Sequence, residues 1–172
     1  MFKVKVVELD LAEIILNGNY PFYKPTRTLS LVDNSIYMNE NFKPVNGSHM
    51  VIYVDDLTIP RQGYTVPEMK HVEQGLSHFE GLTDQDCVLI HCHAGVSRSA
   101  AMAVLLLVKY GVPPAEAITK IFLDRDCIWP NDLIIELGDQ LLGCNGELIS
   151  AMKDWKDSRR GVFFVPNTFK KG

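Results

Sequence analysis

The stretch Cys87-Val88-Leu89-Ile90-His91-Cys92-His93-Ala94-Gly95-Val96-Ser97-Arg98-Ser99, continuing into Ala100-Ala101-Met102-Ala103-Val104-Leu105-Leu106-Leu107, decides how this chain folds. Its first four residues are a short apolar run of strand type. Ser99 to Leu107 is too long and too rich in alanine for a second strand, and predicts a buried central helix. A loop that joins the C-terminal end of a strand to the start of a helix gathers backbone N–H groups and the positive end of the helix dipole around one point, which makes an anion site. Arg98 stands at the helix start, where a planar guanidinium can hold two oxygens of a tetrahedral oxyanion. Gly95 suits a backbone that must take positive φ and close tightly round a ligand. Cys92 lies at the base of this cradle, where the dipole, the amides and Arg98 all favour thiolate over thiol. Ser99 offers a hydroxyl that can stabilise the sulfur when it departs. The chemistry implied is a two-step displacement at phosphorus.

Outward from this junction the chain alternates strand and helix. Val4 to Leu9, Arg27 to Val32 and His49 to Val54 read as strands, and Leu11 to Asn17 as a short helix stopped by Gly18. Thr65 to Gly81 predicts a helix with Pro67 in its first turn and Met69, Val72, Leu76 and Phe79 on one face. After Gly111, a helix opened by Pro113 or Pro114 runs to about Leu123. Another covers Asn131 to Leu142, and Gly143 and Gly146 bracket a turn before an amphipathic stretch, Leu148 to Trp155. This alternation predicts an α/β domain with a mostly parallel central sheet and helices on both faces.

Length and composition bound the function. A chain of 172 residues, 47% hydrophobic and 22% charged, forms one domain, with residues 157–172 as a peripheral tail. A net charge of -4 leaves no basic footprint for nucleic acid or an anionic membrane, so an anionic ligand must be held by a focused site. The longest apolar stretch, Ala100 to Val108, is too short to span a bilayer. Residues 1–10 lack the pattern of a signal peptide, and a cytoplasmic location is the expectation. Four cysteines suggest reduced thiols rather than a disulfide scaffold. Cys87 lies five positions before Cys92 on the same strand, too far for a bond, and Cys127 and Cys144 are expected to pack as small apolar residues.

The motif H-C-x5-R-S at His91 to Ser99 resembles the signature of the cysteine-dependent protein tyrosine and dual-specificity phosphatases, in particular a small stand-alone, bacterial-type member. Ile128-Trp129-Pro130-Asn131 and the helix after it resemble the Pro-Asn segment that follows the signature in dual-specificity phosphatases. The resemblance covers roughly residues 49–142. It implies a dual-specificity-phosphatase-like fold, a phosphocysteine intermediate, and neither metal nor cofactor. Cys92 would attack, and His93, Ala94, Gly95, Val96, Ser97 and Arg98 would form the phosphate loop. His91 would support the loop from a buried position. The family's general acid is an Asp upstream of the signature, here Asp55 or Asp56 at the end of the strand His49 to Val54. Side-chain alternation favours Asp56, with Asp55 the alternative.

Other readings stand beside these. Asn131 either bonds the anion loop from behind or caps the helix that begins there. Tyr20, Phe22 and Tyr23 either wall a substrate cleft or anchor their own loop. His91 and His93 flank Cys92, but neighbours in a tight loop rarely converge on one metal ion. The substrate is expected to be a phosphorylated protein or peptide, with phosphotyrosine first, and the absence of Lys and Arg at positions 93–97 argues against highly charged lipid or RNA substrates. A phosphate-binding module without catalysis, and another cysteine-dependent oxyanion enzyme such as a sulfurtransferase or arsenate reductase, are the rivals.

Overall fold

In the computed structural model, which describes residues 1–33 and 48–160, four short strands build one sheet. They are β1 (Lys3–Val7), β2 (Arg27–Val32), β3 (His49–Tyr53) and β4 (Cys87–His91), in the spatial order β1-β4-β2-β3. Every pairing is parallel, which places the C-terminal ends of all four strands along one edge. β4 and β2 are central and buried along almost their whole length, as expected for strands covered on both faces.

Side chains alternate between two layers. Leu29, Leu31, Ile52, Val88 and Ile90 face the main core, built with helices α2 (Met69–Ser77), α3 (Arg98–Lys109), α4 (Pro114–Asp124), α5 (Asp132–Leu142) and α6 (Glu147–Asp157). Val7 and Leu89 face α1 (Leu9–Leu16) on the other side, against Ala12 and Ile15. Helices thus cover both faces, as the alternation predicts. α3 is buried from Arg98 through Leu107, which explains why it is apolar all round rather than amphipathic.

Two parts of the scaffold position the site. α5 crosses α3 so closely that a Cβ at Gly138 would collide with the methyl groups of Leu105, so only glycine permits the approach. α6 anchors the turn before α5. Lys156, almost wholly buried, donates from Nζ to the Pro130 carbonyl (2.6 Å) and to Asp132 Oδ1 (2.7 Å), and lies over the Trp129 ring. α6 ends at Asp157, where the peripheral tail is expected to begin. Residues 161–172 lie outside the described residues.

Several boundaries differ from the sequence reading. α2 is shorter than the segment 65–81 because Thr65 is bound to Asp55 instead of entering the helix, and the residue before Pro67 is held out of the helical region. Glu68 and His71 then close a reciprocal cap at its start. α1 begins at Leu9, two residues early, and β1 ends at Val7 accordingly. Tyr23 donates its hydroxyl to the Val88 carbonyl (2.8 Å), and burial pushes its phenol pKa up. Tyr20 and Tyr23 pack on the α1-side cluster, while Phe22 projects outward with its ring edge-on to Tyr20. These two tyrosines thus anchor their loop. Cys87 and Cys92 are unbonded. Cys127 does not pack as an apolar residue: it is exposed, because Ile128 takes the inward position of that turn. Cys144 is half-buried.

Truncating Leu105 to alanine removes the side chain on which Gly138 rests. Leu105→Ala is expected to lower unfolding stability by about 2–5 kcal/mol in urea titration, and a loss under about 1 kcal/mol would mean that α5 does not press on α3.

Candidate active site

All the residues singled out in the signature lie at the sheet edge where the strands end. β1 delivers Glu8, β2 delivers Asp33, β3 leads to Asp55 and Asp56, and β4 leads into residues 92–97 and then α3. An edge of this kind is where open parallel sheets bind ligands.

The loop's shape is set by what holds its carbonyls. His93 O accepts from Leu9 N (3.0 Å), Ala94 O from Arg125 Nη2 (2.9 Å), and Val96 O from Trp129 N (2.9 Å). Ser97 O accepts from Asn131 N and from Ala101 N. These donors all lie outside the loop. A trans peptide points its N–H opposite to its carbonyl, so the N–H groups of Ala94, Gly95, Ser97 and Arg98 turn toward the loop's interior. Gly95 makes this possible. Its φ is +65°, and a Cβ there would collide with the backbone of Val7 and Glu8.

Cys92 is buried at the loop's base, with its Sγ 3.1 Å from Ser99 Oγ. Arg98 is buried as well, and its Nη1 donates to Asp33 Oδ1 (2.7 Å) and to the Val54 carbonyl (2.7 Å), with Nη2 3.3 Å from Asp33 Oδ2. Its Nε has no protein partner among the described residues and remains a donor for an oxyanion. The two-point grip of Asp33 fixes the guanidinium plane.

Asp55 and Asp56 point to different places. Asp55 is buried, its Oδ2 accepting from Thr65 N at 2.6 Å while its own N–H donates to Thr65 O. Asp56 is exposed, and its Oδ1 accepts from Ser97 Oγ (2.7 Å) and Asn131 Nδ2 (2.8 Å). Asn131 caps α5 as well, Oδ1 accepting from Ile134 N. Its main-chain N–H, rather than its side chain, reaches the loop, while the side-chain amide goes to Asp56. A cleft of about 320 Å³ opens beside Asp56 and Ser97, walled by Ile59 and Trp129.

His91 is fully buried beneath the loop, whereas His93 is exposed, so the two rings do not converge on one point. His91 Nε2 lies 2.5 Å from Ser30 Oγ, and His49 Nε2 lies 2.6 Å from the same oxygen. Burial lowers both histidines to a pKa of about 4. The neighbouring His49 lowers His91 further, against a hydrogen bond with the Cys92 main chain, and His78 lowers His49.

Sequence reasoning missed Asp33, Ser30, Glu8 and Arg125. Arg125 Nη1 pairs with Glu8 Oε2 at 2.6 Å, tying the α4–α5 turn to the β1–α1 turn across the loop. A polar residue ending a predicted parallel strand was the available signal for Asp33, and a serine inside the apolar run Thr28 to Val32 was the signal for Ser30. The Glu8–Arg125 pair, 117 residues apart, carries no local signal.

Comparison with solved structures settles the architecture. DUSP15 matches with a TM-score of 0.58 at 16% identity, covering 91% of this chain and 92% of that one. Human DUSP28 matches with a TM-score of 0.56 at 16% identity, over 90% and 94% of the two chains. The fold is that of the dual-specificity and protein tyrosine phosphatases. PTPMT1 in complex with PI(5)P shares it at a TM-score of 0.52 and 18% identity, over 91% and 94%. Coverage of 90–91% of the chain extends the likeness well beyond residues 49–142. No family model and no curated protein sequence matches the chain. Among the described residues, no helix is long and apolar enough to cross a membrane.

Both buried histidines are neutral in the native protein below the pH at which they protonate in the unfolded chain. Between about pH 6.5 and 4 the unfolded state therefore binds more protons, and stability falls as pH falls, by up to about 1.4 kcal/mol per pH unit for each ring. Urea unfolding of the native protein is expected to show this loss, with a shallower slope in His49→Gln. A flat profile across that window would contradict the burial of the pair.

Proposed function

We propose that the protein hydrolyses phosphate monoesters through a phosphocysteine intermediate, as a protein tyrosine or dual-specificity phosphatase. The inward-facing N–H groups of the loop, produced by carbonyls tied outward, carry this reading. They surround the sulfur of Cys92 with donors that fit three equatorial oxygens of a phosphoryl group, and Arg98 Nε adds a charged one.

In the first step the Cys92 thiolate attacks phosphorus as the bond to the leaving oxygen breaks, and Asp56 gives that oxygen its proton. In the second, Asp56 takes a proton from water, the hydroxide oxygen attacks phosphorus, and the S–P bond breaks. The Ser99 hydroxyl, 3.1 Å from Sγ, stabilises the departing thiolate. The exposed Asp56, beside a cleft and hydrogen-bonded to Ser97 of the loop, suits this shuttle. The carboxylate of Asp55 is buried and engaged by Thr65, which suits a structural role.

The substrate favoured is phosphotyrosine in a protein or peptide, since the loop residues His93 to Ser97 add no cationic side chain for a multiply charged headgroup. PTPMT1 is solved in complex with PI(5)P, which makes that phosphoinositide the compound to compare. With EDTA and reductant present, wild-type protein is expected to hydrolyse p-nitrophenyl phosphate and a phosphotyrosine peptide, the peptide faster than PI(5)P. Cys92→Ser should abolish turnover, and Asp56→Asn should cut kcat about 10²–10⁴-fold with a larger loss than Asp55→Asn. Wild-type protein that binds vanadate without turnover would replace this reading by a phosphate-binding module.

A further inference from the structure

We propose that Asp55 is a positioning residue for the neighbouring acid, Asp56, which it places by closing the neck of the loop 56–64. The consequence for turnover rests on the phosphatase reading, and the closed neck rests on geometry alone.

The loop that carries Asp56 has no packing of its own. Leu57 is half-buried, and every other residue from Asp56 to Tyr64 is exposed. Arg61 lies over the Tyr64 ring at the surface, 4.7 Å from its centroid. A segment without buried side chains is not fixed by the hydrophobic effect, so polar contacts must set where its first residue stands.

Those contacts converge at the two ends of the loop. Asp55 Oδ2 accepts from Thr65 N (2.6 Å), and Asp55 N donates to Thr65 O (2.7 Å). Asp55 is only 3% exposed, which shields the pair from water and strengthens the charge-assisted bond to its carboxylate. The strand side of the neck is itself held, since Val54 N donates to Val32 O (2.8 Å) and Val54 O accepts from Arg98 Nη1 (2.7 Å). Beyond the neck, Leu57 N donates to Asp55 O (3.0 Å), and Leu57 O accepts from Asn131 Nδ2 (3.3 Å). Asp56 thus stands between two anchored residues, within reach of Ser97 Oγ and Asn131 Nδ2. Removing the acceptor at position 55 opens the neck on one side and widens the range over which the acid moves. A reacting group misplaced by about 1 Å can cost about 10²-fold in rate.

Kinetics of single and double variants test this, with phenyl phosphate and p-nitrophenyl phosphate as substrates. Phenoxide is the poorer leaving group of the two and depends more on a well-placed proton donor. Asp55→Leu is expected to lower kcat for phenyl phosphate about tenfold, with a smaller loss for p-nitrophenyl phosphate and KM changed less than about twofold. Asp55→Asn keeps an oxygen that accepts from Thr65 N and should retain most of kcat. In the Asp56→Asn background, Asp55→Leu should cause no further loss, because it acts through the acid it positions. Thr65→Pro deletes the same hydrogen bond from its donor side and should reproduce the Asp55→Leu pattern, which keeps the test decisive if Asp55→Leu does not fold. Equal losses for the two esters, additive losses in the double variant, or equal impairment by Asn and Leu at position 55 would each overturn the proposal. If wild-type protein turns over neither ester, the phosphatase reading fails, and amide hydrogen exchange at Thr65 still decides the neck. It is expected to be slow in wild type and Asp55→Asn and fast in Asp55→Leu, and exchange unchanged by Asp55→Leu would overturn the closed neck.

Discussion

Four main-chain carbonyls in the loop after β4 are pulled away from Cys92 by donors on separate elements, and a trans peptide whose carbonyl turns out must turn its N–H in. The donors are Leu9 at the start of α1, Arg125 and Trp129 in the α4–α5 turn, and Asn131 at the cap of α5. Each needs its own support. Arg125 is held by Glu8, the α4–α5 turn by Lys156 of α6, and α5 by the close crossing at Gly138. Much of the helical layer thus serves the conformation of a short loop. On the proposed reading such a loop is preformed to receive an oxyanion, so little reorganisation would remain when charge develops in the transition state.

Burial of charge at this edge follows the same logic. An arginine as enclosed as Arg98 is tolerated because Asp33 grips two of its nitrogens and the Val54 carbonyl takes another proton of Nη1. The same contacts lock the guanidinium plane, leaving Nε without a protein partner among the described residues. On the opposite side of the loop, Ser97 and Asn131 present two donors to a single oxygen of Asp56, so that carboxylate is held beside the cradle although the residue is exposed. Beneath the loop, the polar layer of His91, Ser30 and His49 replaces what would otherwise be apolar packing between the sheet and the α1 side.

The fold was largely legible because local signals and topology agree. Alternating strands and helices demand a parallel sheet, and the Ala/Leu run from Ser99 could only be a buried helix. The boundaries of α2 were not legible, since Thr65 is captured by Asp55, a contact across ten positions that helix propensity does not register. Within the site, Cys92, Ser99 and Arg98 share one continuous segment, and their proximity follows from that segment's shape. Asp33, Glu8, Arg125 and Ser30 come from elsewhere in the chain and meet the loop only through strand order and the α4–α5 turn. Cys127 shows the reverse error, where an apolar-looking residue is displaced outward by the larger Ile128 beside it.

The central claim is that the loop holds a phosphoryl group in line with Cys92 for covalent transfer to sulfur. It is tested most directly by acid-quenching wild-type protein during turnover of p-nitrophenyl phosphate and mapping the digest by mass spectrometry. The account predicts one phosphoryl group on the peptide containing Cys92, increased when Ser99→Ala slows breakdown of the intermediate. Steady hydrolysis with no phosphoryl adduct at Cys92 in either protein, or an adduct on another residue, would contradict it.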